Sequence, residues 1–483
     1  MNITAPIRRI ARLHPNATAI IRADGSSISY GVLEHAIDRM GGYAIRLGLE
    51  PGDIAGLRID GPDESLGLTL ALGLARIGVA SAEPGVPAKH LRLRFQAGQA
   101  SAPGCVSFDA SWMPREPAPP DHVPLPIHPD PEAVFRILSS SGTTGTPKHA
   151  IITHAVNARR VEATCLAEGG GPDVRIIGVG LGGSWGSNTA LRTLWGGGTI
   201  VLSNPEHAAE AISRHGVTAI STSPAALRMI LGALPQGAGP FASLQRIEMS
   251  GSRLPEALQR LAAERLGGRL ISFFGATETS LTASAPVDAL TSRPGAVGLI
   301  LPGVEVEALD DAQRPLPPGQ EGVLRFRSDR LAAGYLGEAD FSTERFQDGW
   351  FHSSDIGTVW PDGMLTINGR TTDVINAGGV KVHPHVIESA LMKLPTVLDA
   401  AAFGVPDALG VTRIWAAIVA RSRIDDAVLN AFCRHALPGI APHTILQMKA
   451  LPRNQNGKLR RDQLVDIGLH ATSRPAEASV AHA

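Results

Sequence analysis

Cysteine is nearly absent from this chain of 483 residues: Cys105, Cys165 and Cys433 are odd in number and far apart. That argues against a disulfide framework and against a cysteine zinc site, and it fits a reducing cytoplasm. An excess of charge of one sign is also missing. With 44 basic and 45 acidic residues the formal net charge is −1, so composition offers no electrostatic attraction to nucleic acid or to a membrane surface. Long apolar runs are lacking too. The longest, Leu66 to Val79, is broken by Arg76 and falls short of a membrane span, which predicts a buried helix instead. Met1 to Asp24 is punctuated by Arg8, Arg9, Arg12 and Pro15 and has no apolar core of signal-peptide length. Lysine is scarce as well, limited to Lys89, Lys148, Lys381, Lys393, Lys449 and Lys458. Where arginine is the default cation, a lysine kept inside a glycine loop marks a site suited to a compact point charge.

The length calls for two or more domains. From Ala19 to Leu331, helix-length apolar patterns alternate with short β-branched runs such as Arg175–Val179, Thr199–Leu202, Val217–Ser221 and Arg269–Phe274, which predicts α/β layers. Pro114 to Pro131 reads as a surface connector. After Pro302, shorter strands with turn signals predict a small β-rich subdomain, with strands at Gly303–Leu309, Gly322–Arg327 and Met364–Asn368. From Asp373 a compact α+β segment follows: helix Pro384–Leu394, strands Ala400–Val405 and Ile414–Ala420, and helix Asp425–Ala436. The expected division is an α/β multi-domain chain. It has an amino-terminal domain over 1–371, a small α+β domain over 372–470 and a disordered Ala-, Ser- and Pro-rich tail over 471–483.

Residues 139 to 148 read Ser-Ser-Ser-Gly-Thr-Thr-Gly-Thr-Pro-Lys, directly after the apolar run Ala133–Leu138. A loop leaving the carboxyl end of a buried strand lies where ligands usually bind in α/β sheets. Gly142 and Gly145 let successive N–H groups converge, Ser140, Ser141, Thr143 and Thr144 add donors, and Lys148 adds charge, so the loop suits phosphate. It is not a Walker A loop, since proline precedes the lysine, and an ordinary polar surface loop has similar composition.

Residues 178 to 186, Gly-Val-Gly-Leu-Gly-Gly-Ser-Trp-Gly, match two other patterns. Gly178, Gly180 and Gly183 fit a dinucleotide fingerprint, and Gly182, Ser184 and Gly186 fit a hydrolase nucleophile elbow. Neither has its partners in order: Glu206 lies past Ser203-Asn204-Pro205, and no histidine is singled out among 16. A glycine-rich segment lining a cavity or allowing close packing is the preferred account.

A further site is Phe274-Gly275-Ala276-Thr277-Glu278, where an aromatic ring can stack on a base, a threonine can donate to phosphate and a glutamate can hold Mg²⁺. Three more segments join it: Gly349–Gly357 (Gly-Trp-Phe-His-Ser-Ser-Asp-Ile-Gly), Gly369–Asp373 leading into Gly378–Pro384, and Pro452–Lys458. This ordered set, from about Pro15 to Leu464, resembles the adenylate-forming superfamily, which includes acyl-CoA synthetases, peptide synthetase adenylation domains and firefly luciferase.

The resemblance implies a large amino-terminal domain and a small mobile carboxyl-terminal domain with the active site between them. It also implies activation of a carboxylic acid by ATP with release of pyrophosphate, then transfer of the acyl group from AMP to a thiol. Carried over by motif, Ser140 to Thr144 with Gly145 and Lys148 would hold the β- and γ-phosphates, and Phe274 beside Gly275 would pack on adenine. Thr277 would touch the α-phosphate, Glu278 would bind Mg²⁺ with Thr143 as its second ligand, Asp355 would hold the ribose hydroxyls and Arg370 would lie beside them. Lys458 would bridge the acid and ATP during adenylation. Gly378 and Gly379 look like the coenzyme A ligases, where small residues let a pantetheine arm pass, although a simple turn also explains them.

Trp185, Gly251, Ser252 and Ala276 are expected to line the acyl pocket, with room for a medium-sized or aromatic acid; no basic residue is evident for a second carboxylate. Departures from the family pattern are His149 after the loop lysine, Thr372 at the hinge, Val386 in place of an acid, and no histidine near Gly182–Trp185. The implied partners are the acid, ATP, Mg²⁺ and coenzyme A, with a carrier protein or a second copy of the chain as further options. Loading of a carrier-protein phosphopantetheine is the alternative function. A nucleotide-binding protein without turnover, or a hydrolase, is more remote.

Overall fold

The structure is a computed structural model that describes residues 1–472 apart from 60–62, 99–103, 141–147, 169–171, 253, 292, 294, 378, 408 and 454–458. Two sheets form the large amino-terminal part. One has six strands, in the order Cys105–Phe108, Leu93–Ala97, Ile54–Leu57, Ala80–Ala82, Val134–Ser140, Lys148–Thr153; all neighbours are parallel except the last pair. The glycine loop therefore joins two antiparallel strands as a hairpin and does not lead into a helix.

The other sheet has fourteen strands. Its parallel core, Thr18–Ile21, Thr199–Val201, Val174–Gly178, Ala219–Thr222, Arg246–Met249 and Arg269–Ala276, matches the predicted βα layers. Ser280–Pro286 then folds back on Arg269–Ala276, and Ala296–Ile300, Met364–Arg370, Trp350–Val359, Glu321–Arg327 and Glu305–Leu309 follow outward, all antiparallel. The β-rich region expected after Pro302 is present, and its strands hydrogen-bond onward from the central sheet. Short strands with tight turns look alike in sequence whether they begin a new sheet or complete the edge of an old one, because period-2 patterning does not name the partner.

The buried helix expected from Leu66 runs over Glu64–Arg76, and every residue of it from Ser65 onward is buried. The arginine that interrupts its apolar run lies inside: Arg76 is fully enclosed and pairs with Glu34 at 2.8 Å and Asp38 at 2.5 Å. A buried guanidinium is tolerable because both carboxylates satisfy it.

The carboxyl-terminal part has its own three-stranded sheet, Val397–Pro406, Thr412–Ala420 and Thr444–Gln447. Alternation sends Ala402, Ala416 and Ile418 to one face, against helices Pro384–Leu391 and Asp426–Ala436, and Phe403, Trp415 and Ala417 to the other, against Leu464. Asp425 caps the second helix by accepting from the N–H groups of Ala427 and Val428. The last helix, Arg461–Thr472, runs two residues into the stretch expected to be a tail, and the rest of that stretch lies outside the described residues. Among the described residues no helix is long and apolar enough to cross a membrane.

Candidate active site

A cavity of about 330 Å³ opens at the carboxyl ends of the parallel strands, where the antiparallel extension faces the glycine hairpin. Lys148, Trp185, Gly251, Gly275, Ala276, Thr277, Glu278, Asp355 and Arg370 all line it. Residues far apart in sequence, from Lys148 to Arg370, therefore meet in one place.

The Phe274–Glu278 segment ends the strand Arg269–Ala276 and enters the turn to the antiparallel strand Ser280–Pro286. Gly275 is required there, because a Cβ would come within 2.0 Å of the Ser280 carbonyl oxygen. The Ala276 N–H donates to Thr279 Oγ1 at 3.2 Å, and Ser280 adopts a left-handed φ of 62°, which together hold the turn open toward the cavity. Glu278 is buried, and its carboxylate accepts from the Tyr335 hydroxyl at 2.9 Å. Burial pushes the Tyr335 phenol well above its ordinary range and the Glu278 charge adds to the shift, so the phenol stays a donor. Arg160 Nη2 donates to the Glu278 carbonyl at 3.1 Å; burial holds its pKa down to about 10 against the opposing charge of Glu278. Phe274 is half-buried, packs on the core beneath the antiparallel strands and is not part of the cavity wall.

Asp355 and Arg370 face each other across neighbouring strands, and Arg370 Nε donates to Asp355 Oδ1 at 2.8 Å. Burial alone would lower Arg370, but the charge and hydrogen bond of Asp355 outweigh it and hold its pKa above the ordinary value. Ser353 Oγ accepts from the Asp355 N–H at 3.0 Å and donates to the Leu324 carbonyl at 2.8 Å, which fixes the carboxylate's backbone.

Lys148 begins the second strand of the glycine hairpin, with Nζ 3.1 Å from Glu338 and 4.6 Å from the Phe341 ring centre. Ser140 ends the first strand, opposite Lys148, while Ser141, Gly142, Thr143, Thr144 and Gly145 lie outside the described residues. His149, the departure from the family pattern, is buried at the hairpin stem, with Nδ1 3.3 Å from Ser139 Oγ; burial lowers its pKa.

The glycine-rich segment runs from the strand Val174–Gly178 to the helix Ser184–Trp195 and forms one cavity wall. A Cβ on Gly186 would stand 2.1 Å from the Gly180 carbonyl oxygen, so close packing accounts for that glycine. No histidine is among the described residues lining the cavity, which leaves the nucleophile-elbow account without a base.

Ser252 is exposed and outside the cavity wall. Gly379 sits on an exposed hairpin, Ile375–Ala377 with Val380–Val382, at a left-handed φ of 96°, and a Cβ there would meet nothing within 4 Å; its conformation alone calls for glycine. Gly378 and Lys458 lie outside the described residues. The sequence reasoning missed Tyr335, Asn157, Arg160 and Asn188 in the wall. For the three on helices, the one signal is a polar side chain recurring at helical spacing. A carboxylate such as Glu278, with phosphate oxygens and water to complete the shell, fits Mg²⁺, which seldom takes an all-protein cage; no cluster of three potential metal ligands exists among the described residues.

Family comparison agrees with this layout. Residues 7–336 match the AMP-binding enzyme family and 386–458 match the AMP-binding enzyme C-terminal domain. The chain is 33% identical over 378 residues to a sulfoacetate–CoA ligase of Cupriavidus necator, covering 74% of this chain and 72% of that protein. It is 30% identical over 364 residues to the fatty acid–[acyl-carrier-protein] ligase ScoC of Streptomyces coeruleorubidus, covering 72% and 70%. ATP-bound MatB from Rhodopseudomonas palustris superposes with a TM-score of 0.83 at 22% identity, over 98% of this chain and all of that one, and so shares the fold. The chain belongs to the AMP-binding enzyme family of adenylate-forming ligases.

Proposed function

We propose that the enzyme joins a carboxylic acid to coenzyme A in two steps, with AMP and pyrophosphate as the other products. In the first, a carboxylate oxygen attacks the α-phosphorus of ATP and the bond to the β-phosphate breaks. In the second, the thiol sulfur attacks the acyl carbon, AMP leaves and the thiol proton is lost. The convergence of Lys148, Glu278, Asp355 and Arg370 on one cavity supports this reading most directly.

Like charges must approach in the first step, so the site has to offer cations and oriented donors where charge builds. Lys148 and the hydroxyls of Ser140 to Thr144 would hold the phosphates that leave. Asp355, paired with Arg370, suits the ribose hydroxyls. Mg²⁺ on Glu278 would neutralise phosphate charge. Thr277 would contact the α-phosphate, and Lys458 would join the acid to ATP. The domain bounds, 1–371 and 372–470, and a cytoplasmic setting, consistent with three free cysteines, belong to the same proposal.

ATP–pyrophosphate exchange across a panel of acids, sulfoacetate included, tests it, followed by thioester detection with coenzyme A. Exchange with no acid would end the proposal. The likeness to a carrier-protein ligase favours a second reading, in which the thiol belongs to a carrier's phosphopantetheine. Exchange without coenzyme A acylation would favour that reading.

A further inference from the structure

Two helices meet behind the glycine-rich segment, and they bring the polar groups of Asn157, Arg160, Trp185 and Asn188 to the cavity. Asn157, Arg160 and Thr164 recur at helical spacing on His154–Glu168, and Trp185, Asn188 and Arg192 do so on Ser184–Trp195. Helices packed in a core ordinarily face each other with apolar side chains. Here Asn157 is 4% and Asn188 6% exposed.

One contact in this seam is closed. Thr164 Oγ1 donates its proton to the Arg160 carbonyl at 2.8 Å, so it can only accept from Asn188, whose Nδ2 lies 3.2 Å away. That assigns the amide orientation and turns Asn188 Oδ1 away from Thr164. Asn188 Oδ1, Asn157 Nδ2 and Trp185 Nε1 are enclosed without a protein partner, and all three residues line the cavity. The wall thus offers Trp185 Nε1 as a donor, Asn188 Oδ1 as an acceptor and the Asn157 amide, which can present either. Behind it, Arg192 stacks 5.4 Å from the Trp185 ring centre and is tied to Glu248, which fixes the indole's footing.

A hydrocarbon tail packed against these atoms leaves them unmatched, each at a loss of roughly tenfold to a hundredfold in affinity relative to a tail that pairs with them. A hydroxyl both accepts and donates, so it answers both kinds of atom. A carboxylate or sulfonate answers the donors but sets negative charge against Asn188 Oδ1. Resting on the acid-activating reading above, we propose that the acyl pocket selects a carboxylic acid bearing a hydroxyl group on its tail over the methyl-bearing acid of the same shape.

The test compares kcat/KM in ATP–pyrophosphate exchange for matched pairs: 3-hydroxybutyrate with 3-methylbutyrate, and 3- and 4-hydroxybenzoate with the corresponding methylbenzoates. Sulfoacetate and its uncharged isostere 3,3-dimethylbutyrate form the anionic arm. The hydroxyl acid should lead its methyl partner by about a hundredfold or more in at least one pair. Trp185→Phe, which keeps an aromatic ring and removes the N–H, and Asn157→Leu should each cut that preference about tenfold, mainly by raising kcat/KM for the methyl acid. The KM for ATP, read in parallel, reports that the nucleotide side stays folded. Methyl acids preferred throughout, sulfoacetate leading every hydroxy acid, or variants that weaken both members of a pair equally would each overturn the inference while the acid-activating reading stands. Exchange with no acid at all would overturn that reading, and this inference with it.

Discussion

The two walls of the cavity are built differently. On the side assigned to ATP, charged groups already have partners: Glu278 with Tyr335, Asp355 with Arg370, Lys148 with Glu338. On the side assigned to the acid, Asn157, Asn188 and Trp185 present enclosed polar atoms without protein partners, on two helices of which one is braced through Arg192 by a buried ion network. A wall that meets the same nucleotide in every turnover can be preorganised by its own pairs. A wall that must choose among acids gains discrimination from groups only the right acid completes.

Breaking the footing of the acyl wall should have the largest effect. Glu248 is fully buried between Arg175 and Arg192, with Arg246 and Ser221 also on its carboxylate. Burial would raise its pKa, but the two guanidinium charges outweigh that and hold it far below the ordinary carboxylate range. Glu248→Gln should therefore destabilise the protein by about 3–5 kcal/mol, read by urea unfolding, because it strands buried positive charge. Glu278→Gln, on the other wall, should leave the urea midpoint nearly unchanged; a comparable loss would erase the contrast between the walls.

Next in size, Lys458→Ala should slow adenylation by about 10²–10³-fold while thioester formation from preformed acyl adenylate continues. Equal loss of both half-reactions would remove Lys458 from its assigned role. Asp355→Ala should raise the KM for ATP about tenfold to a hundredfold, by the same factor for every acid. An acid-dependent change would mean the walls are not separable.

The smallest effect concerns His154, at the start of the helix that carries Asn157. Its Nδ1 accepts from the Ile3 N–H at 3.3 Å, and burial, then the charges of His128 and the amino terminus, lower its pKa to about 4 from 6.5. The folded state thus holds this histidine neutral. Its contribution is complete above pH 6.5 and is drawn down as pH falls toward 4. Stability at pH 5 should be lower than at pH 7 by roughly 2 kcal/mol, and His154→Phe should flatten that difference.

On the side assigned to ATP, Lys148, Thr277, Glu278, Asp355 and Arg370 could be picked out in sequence and meet in the cavity, because they sit on turns and strands where residue spacing is dictated locally, whereas Phe274 lies off the wall. Gly275 and Glu278 belong to one turn, and Asp355 and Arg370 lie on adjacent strands. The acyl side was less legible. Trp185 alone was singled out among its polar groups, because Asn157 and Asn188 come to line one cavity only when two helices separated by a strand pack together. Strand positions such as Arg269–Ala276 and Thr412–Ala420 followed from β-branched runs, whereas the continuation of the central sheet through Ser280–Pro286 did not, since a strand's composition is silent on its neighbour. The buried Arg76 was signalled only as an interruption of an apolar run.

That continuous sheet sets where the molecule can bend. Glu278, Asp355 and Arg370 are carried by one uninterrupted ladder, and the Thr371 N–H still ties back to the Ser354 carbonyl at 2.8 Å. On the proposed domain division, a swing of the carboxyl-terminal part would start at Thr372 or later, with Asp355 and Arg370, the proposed ribose contacts, upstream. Lys458 could then withdraw and a thiol approach while the adenylate remains anchored to the sheet, a handover in which only the visiting groups change seats.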